Sequence, residues 1–323
     1  MECLSDILLS PEVGITLFID IFLFLLLSIA FYQSLFLLKR YDSNAVSAYQ
    51  YKLEKKSYLL ITIISVSIII KFLLLPFFVH TLDVLSSIVP GAMCGAGVIK
   101  ANEFGEIALV VKIVVVMFSL LWMKLNSYDE KSLKQPYFTK KLYFFIFIYI
   151  LIFLELFLEI KFLVNISTES PVLCCSAIYV DDADKNPLPF NLSMLSLLVL
   201  FYSLYLLLLL LSYFKKKYFL APISLIFGYI SYYVIVYFLG TYIYELPTHK
   251  CPFCMLQSDY YFIGYGIFAS LFLATFYAIS ASVFSFASRD YKIAAFLYTL
   301  FILFSSYRFI VFILQNGTLL SPL

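Results

Sequence analysis

The residues of this sequence that could do chemistry include six cysteines, and all six lie outside its long apolar runs. The clearest motif is the Cys-x-x-Cys pair of Cys251 and Cys254, with His249 before it and Met255 after it. Two thiols at this spacing can form a disulfide or bind one metal ion. Cations lower the pKa of a nearby thiol, so His249 and Lys250 would favour the reactive thiolate. The motif predicts a redox dithiol, with a plain stabilising disulfide as the alternative.

Three further cysteines lie in other connections between apolar runs. Cys94 is flanked by glycines, which allow the backbone to approach another group closely. Cys174 and Cys175 are adjacent, and we expect each to face a different partner. A bond from Cys94 to Cys174 or Cys175 is one candidate disulfide, but six cysteines allow many pairings and the sequence does not choose among them. In a redox protein these three thiols would pass electrons to or from the dithiol.

The same region also has the composition of a soft-metal site. Thiolate, thioether and imidazole groups together suit Cu(I). The additional candidate ligands are His80, Met93, His249 and Met255, which would act with Cys251 and Cys254.

Ionisable residues also occur inside the apolar runs, where they are costly and point to function. They are Asp20, Lys71, Lys112, Glu155, Glu159, Lys161 and Arg308. Glu155 and Glu159 are four residues apart and therefore share one helix face. We expect the acids and bases to pair around a polar cavity. A quinone bound there would have its developing negative charge stabilised by Lys71, Lys112 or Arg308.

The elements that position these residues are transmembrane helices. The chain is 63% hydrophobic with a mean hydropathy of +0.98, whereas soluble domains are about 45–50% apolar. A helix needs about 20 apolar residues to cross a bilayer. The sequence predicts an all-α integral membrane protein, a polytopic bundle of about eight helices forming a single domain over residues 1–323. The helices are expected near residues 13–38, 58–79, 107–123, 142–164, 192–214, 218–244, 260–286 and 293–314.

Charge in the connections predicts the orientation. One set of connections carries fifteen Lys and Arg residues, and the other set, with both termini, carries three. Because positive charge stays in the cytoplasm, we expect both termini and all six cysteines outside. The N-terminal twelve residues are acidic, which disfavours a cleavable signal peptide. We expect a bacterial inner membrane location, contact with lipid and no nucleic-acid partner.

The outer Cys-x-x-Cys of residues 251–254, together with its loop cysteines, resembles the arrangement in bacterial disulfide-forming quinone reductases and vitamin K epoxide reductases. Helix number and motif order differ from those families. The resemblance favours a membrane thiol–disulfide oxidoreductase, with a quinone as electron acceptor and a periplasmic thiol protein as partner. One alternative is copper-type metal handling or cofactor assembly with a metalloprotein partner. Another is a transporter or structural subunit whose outer loops are joined by disulfides.

Overall fold

The computed structural model describes residues 7–41, 47–132, 135–168, 170–172, 186–284 and 286–320. These residues are mostly helical and contain no strand, which confirms the all-α prediction. We number the helices α1 to α9. They are α1 Pro11–Arg40, α2 Ala48–Leu85, α3 Gly95–Ile99, α4 Phe104–Asp129, α5 Phe138–Val164, α6 Met194–Tyr213, α7 Lys217–Tyr244, α8 Ile263–Val283 and α9 Asp290–Asn316.

All of these helices except α3 are long and apolar enough to cross a membrane, so the eight predicted spans are confirmed. Several are longer than their apolar runs. Helix α2 begins at Ala48 because the Ser47 side chain accepts a hydrogen bond from the Gln50 N–H and caps the helix there. The third predicted span, the shortest run, extends from Phe104 to Asp129. Polar residues therefore continue these helices beyond the segment that hydropathy can detect.

The chain divides into two compact units. The first comprises residues 1–90 and 98–172, and its long helices form a closed ring in which α1 packs on α2 and α5, and α4 packs on α2 and α5. Its apolar core includes Leu60, Trp122 and Phe145, each at most 1% exposed.

The second unit comprises residues 91–97 and 173–323. Its helices form a similar ring, in which α7 packs on α6 and α8, and α9 packs on α8 and α6. Stacked aromatic rings fill its centre, with the Phe201 and Phe227 centroids 5.3 Å apart. Helix α7 widens into one π-helical turn over Ile235–Leu239 before its last turn, and such turns occur frequently at functional sites.

The outward faces of the long helices are apolar. Phe18, Leu73, Val199 and Leu303 are each more than half exposed and lie within membrane-length helices. A bilayer covers such faces, so these side chains contact lipid.

Candidate functional site

Three cysteines of the second unit form a compact buried cluster. The Sγ atoms of Cys94, Cys251 and Cys254 all lie within 4.8 Å of one another. The Cys94 and Cys251 sulfurs are 3.2 Å apart, which exceeds the disulfide bond length of about 2.05 Å. The three residues are 0%, 2% and 7% exposed. We call them the cysteine cluster. The structure therefore brings the Cys-x-x-Cys pair together with Cys94, a cysteine of a different connection.

Cys94 and Cys254 are each held by a short turn rather than by a long helix. Cys94 directly precedes α3, and its carbonyl accepts a hydrogen bond of 3.0 Å from the Gly97 N–H. Cys254 begins a 3₁₀ turn, Cys254–Leu256, and its carbonyl accepts from the Gln257 N–H at 3.1 Å. Tight turns bring both cysteine backbones into the apolar core of the second unit. This explains how loop residues become buried.

Tyr244, the last residue of α7, braces the Cys-x-x-Cys loop. Its hydroxyl donates a hydrogen bond to the carbonyl of Cys251 and accepts one of 3.1 Å from the Met255 N–H. One side chain therefore satisfies backbone groups on both sides of the motif. Its ring also packs edge-on against His249, with centroids 4.3 Å apart. Sequence reasoning missed this role, because Tyr244 is one of 27 tyrosines in an aromatic-rich chain.

Met255 is fully buried and fixes the loop to the helices around it. Its Cγ lies 2.6 Å from the position that a Cβ would take on Gly264 in α8, and its carbonyl oxygen lies 2.9 Å from that position. Its Cε lies 3.5 Å from the equivalent position on Gly240 in α7. Glycine at position 264 lets the loop approach the backbone of α8, whereas the contact with Gly240 is at ordinary van der Waals distance. Met255 therefore has a clear packing role, and its role as a metal ligand stays a prediction.

His249 lies near the cysteine cluster, where burial disfavours the charged form of its imidazole. Burial lowers the pKa of His249 below its usual value near 6.5, and the nearby Cys94 opposes that shift only in part. Its Nε2 atom is buried and has no hydrogen-bond partner among the described residues. Burial therefore works against the positive charge that the sequence predicts for this position. Among the described residues, the ligand atoms that lie within 4.8 Å of one another here are the three sulfurs, so His249 is near the cysteine cluster without belonging to it.

Other cysteine-site predictions have different outcomes. Cys3, Cys174 and Cys175 lie outside the described residues. Met93 is 73% exposed although its neighbour Cys94 is buried. His80 lies on an exposed face of α2 in the first unit. Of the predicted cysteine ligands within the described ranges, Cys94, Cys251 and Cys254 are brought together.

A second polar site lies inside the first unit, at the centre of its helix ring. It comprises Asp20 of α1, Lys71 of α2, Lys112 of α4, and Glu155 and Glu159 of α5, each at most 5% exposed. We call these five residues the charge cluster. The prediction that the intramembrane lysines pair with these acids is confirmed.

The lysines of the charge cluster bridge the carboxylates. Lys71 Nζ lies 2.8 Å from both oxygens of Glu155 and 2.8 Å from Asp20 Oδ1. Lys112 Nζ lies 2.9 Å from Glu159 Oε2 and 3.0 Å from both Asp20 Oδ2 and Glu155 Oε1. Both ammonium groups are therefore already engaged, which gives little support to the role predicted for them beside a quinone.

Arg308, also predicted to lie near a quinone, belongs to the second unit. Its guanidinium lies 3.8 Å from Glu245, and both side chains are substantially exposed. Arg308 also lines a small cavity of about 200 Å³ with Asp259 and Tyr260. Its predicted quinone role stays a prediction.

Sequence reasoning missed a further buried ion pair, between Lys141 and Asp129 of the first unit. The Lys141 Nζ to Asp129 Oδ2 distance is 2.9 Å, and both side chains are fully buried. By sequence, Lys141 belongs to the basic connection that precedes α5. It instead lies in the first turn of α5, where its Nζ also donates to Asn126 and its carbonyl accepts from Trp122. This pair fastens α4 to α5.

No protein-family model, curated protein or solved structure matches the chain. The two buried polar sites are therefore the features from which a function can be inferred.

Proposed function

We propose that the chain is a membrane protein that binds a soft metal ion of the Cu(I) class through Cys94, Cys251 and Cys254. The observation that carries this proposal is the mutual approach of three buried sulfurs within 4.8 Å. Thiolates are the donors that select Cu(I) and zinc from other biological metals. The chain would then handle a metal ion or supply it to a metalloprotein.

The spacing of the sulfurs fits a common metal ion. Three thiolates at a metal–sulfur distance of about 2.3 Å lie about 4 Å from one another. The Cys94 and Cys251 sulfurs are 3.2 Å apart, which is shorter than that distance, and no two of the three sulfurs are more than 4.8 Å apart. Small side-chain rotations would therefore suffice to centre an ion.

The burial of the three cysteines favours metal binding over thiol–disulfide exchange with a partner protein. A partner thiolate must reach a disulfide sulfur directly, yet the three cysteines are at most 7% exposed. A metal ion needs a much smaller opening. A Cu(I) ion would also offset one unit of the negative charge that thiolates bring into an apolar core, where unpaired charge is costly. His249, whose buried Nε2 has no hydrogen-bond partner among the described residues, could become a fourth ligand if its side chain moved toward the sulfurs.

Metal analysis of the full chain tests the proposal. Protein loaded anaerobically with Cu(I) and then desalted should retain about one ion per chain, bound by thiolates as their preference for this metal predicts. Cys94→Ser, Cys251→Ser and Cys254→Ser should each reduce that content sharply. Met93→Leu is the matched control, because it replaces an exposed thioether next to Cys94 and should leave the content unchanged. Met255→Leu measures whether the buried thioether adds a ligand.

Thiol–disulfide oxidation is the second candidate function, favoured by the 3.2 Å approach of the Cys94 and Cys251 sulfurs. Two thiols would form one disulfide and release two protons and two electrons, which a quinone would accept to become a quinol. Under this alternative, purified protein would be metal-free with a reducible disulfide. A single cysteine variant would then trap a mixed disulfide with a periplasmic partner. Retention of Cu(I) by wild-type protein but not by the three serine variants would reject this alternative.

A further inference from the structure

The charge cluster carries one more acid than base. Its three carboxyl groups, Asp20, Glu155 and Glu159, face two ammonium groups, Lys71 and Lys112. If all five were ionised, these residues together would hold one uncompensated negative charge. An isolated charge in a medium of low dielectric costs so much free energy that such groups usually become neutral. The composition of the cluster therefore calls for one additional cation.

The distribution of contacts identifies where that cation binds. The two lysine Nζ atoms lie within 3.0 Å of five of the six carboxylate oxygens. The sixth oxygen, Glu159 Oε1, is buried and has no hydrogen-bond partner in the part of the chain that the structure describes. Within the cluster, Lys112 is the one lysine that reaches Glu159, whereas both lysines reach Asp20 and Glu155. Glu159 is thus the member whose negative charge is least compensated.

We propose that the charge cluster is a proton-binding site and that Glu159 carries one exchangeable proton at neutral pH. Neutralising Glu159 leaves two carboxylates, Asp20 and Glu155, balanced by two lysines. All of the ion pairs that these four residues make with one another are retained. The charged groups of the cluster that surround Glu159 are Asp20 from α1, Lys71 from α2, Lys112 from α4 and Glu155 from its own helix.

A proton fits this position better than a metal ion does. Hard cations require a shell of about six oxygen ligands, and five of the six oxygens here are already in contact with lysine. The aromatic ring of Phe78 closes another side of the cluster, 4.7 Å from Lys112 Nζ. A proton needs one oxygen only. Buried carboxyl groups in membrane helices mark proton relays in pumps and transporters, which is the class of activity that this site would support.

Infrared spectroscopy of the full chain in lipid nanodiscs tests the proposal. Wild-type protein should show the C=O band of a protonated carboxyl group at pH 7, although an unperturbed Glu titrates near pH 4.3. Glu159→Gln should remove that band. Glu106→Gln is the matched control, because Glu106 is an exposed acid of the same unit paired with Lys100. It should leave the band unchanged.

A second variant tests the charge balance rather than the identity of the residue. Glu155→Gln leaves Asp20 and Glu159 facing two lysines, so Glu159 should ionise at neutral pH and its band should return only on acidification. Absence of a protonated carboxyl band from the wild type at neutral pH would overturn the proposal, even if the variants do not accumulate. So would a band that survives Glu159→Gln, or one that sodium chloride abolishes at constant pH. None of these outcomes bears on metal binding by the cysteine cluster.

Discussion

Replacing Tyr244 with Phe should weaken metal binding without touching a sulfur. The change removes one hydroxyl and deprives the Cys251 carbonyl and the Met255 N–H of the hydrogen bonds that it makes. A buried backbone group left without its hydrogen bond costs about 1–3 kcal/mol. The two groups together therefore cost about 2–6 kcal/mol if the loop does not rearrange. If the loop rearranged to satisfy these groups, the cost would be smaller, but the sulfurs of Cys251 and Cys254 would move away from their positions in the cysteine cluster.

The expected loss of affinity follows from that free energy. If about 2 kcal/mol of it appears in binding, Kd for Cu(I) should rise about thirty-fold, since about 1.4 kcal/mol corresponds to a factor of ten. Competition with a chromogenic Cu(I) chelator measures the change. Tyr242→Phe is the matched control, because it removes a hydroxyl from the same helix turn. The Tyr242 hydroxyl accepts a hydrogen bond from the Leu320 N–H and makes none with the Cys-x-x-Cys loop among the contacts described. Equal affinities for wild type and Tyr244→Phe, or an equal loss in Tyr242→Phe, would refute the bracing role.

Three other contacts can be tested more briefly. Gly264→Ala should lower both thermal stability and Cu(I) content, because its Cβ would overlap the buried methionine of the loop. Gly228→Ala has no described atom within 4 Å of its Cβ position and favours the helix, so it should lower neither quantity in the same melting and metal assays. Lys141→Met should strongly lower the melting temperature in detergent, because breaking a buried pair from one side costs about 3–5 kcal/mol, whereas the exposed Lys140→Met should have little effect. The pKa of His249 is lowered in the folded chain, so the unfolded chain binds the proton more tightly. The stability of the folded chain should therefore fall as the pH drops through about 6.5. Melting curves recorded from neutral to mildly acidic pH measure this dependence, and His249→Gln should flatten it.

The sequence carries enough information for the helices but not for their ends. Apolar runs long enough to cross a bilayer must be helical, because every backbone N–H and C=O must be satisfied within the segment. Hydropathy loses the signal where a helix continues into polar residues, as α2 does between Ala48 and Tyr58. The cap at Ser47 decides that end, and a serine before a charged segment is a weak local signal.

The two polar sites, like the helices, can be predicted from the sequence only in part. Cysteines placed in the connections, and charges placed within the apolar runs, predict that each group gathers in space. The sequence does not predict that Cys94 joins Cys251 while Met93 remains exposed, because a turn of a few residues determines which side chain is buried. Nor does it predict the role of Tyr244, which depends on the last turn of α7 meeting the Cys-x-x-Cys loop. Such contacts depend on the ring of helices in the second unit and have no local signature.

The Lys141–Asp129 pair and the charge cluster, both buried in the first unit, differ in their balance of positive and negative charge. This difference indicates a structural role for the pair and a binding role for the cluster. Replacing a buried ion network with well-packed apolar residues is often neutral or stabilising, so the five ionisable side chains of the charge cluster are not explained by stability alone. Lys141 and Asp129 form one balanced pair, as a structural fastening requires. The charge cluster is unbalanced by one charge, and its Glu159 Oε1 has no hydrogen-bond partner among the described residues. A structural role accounts for the balanced pair, whereas the surplus acid of the charge cluster is accounted for by the proton site that we propose.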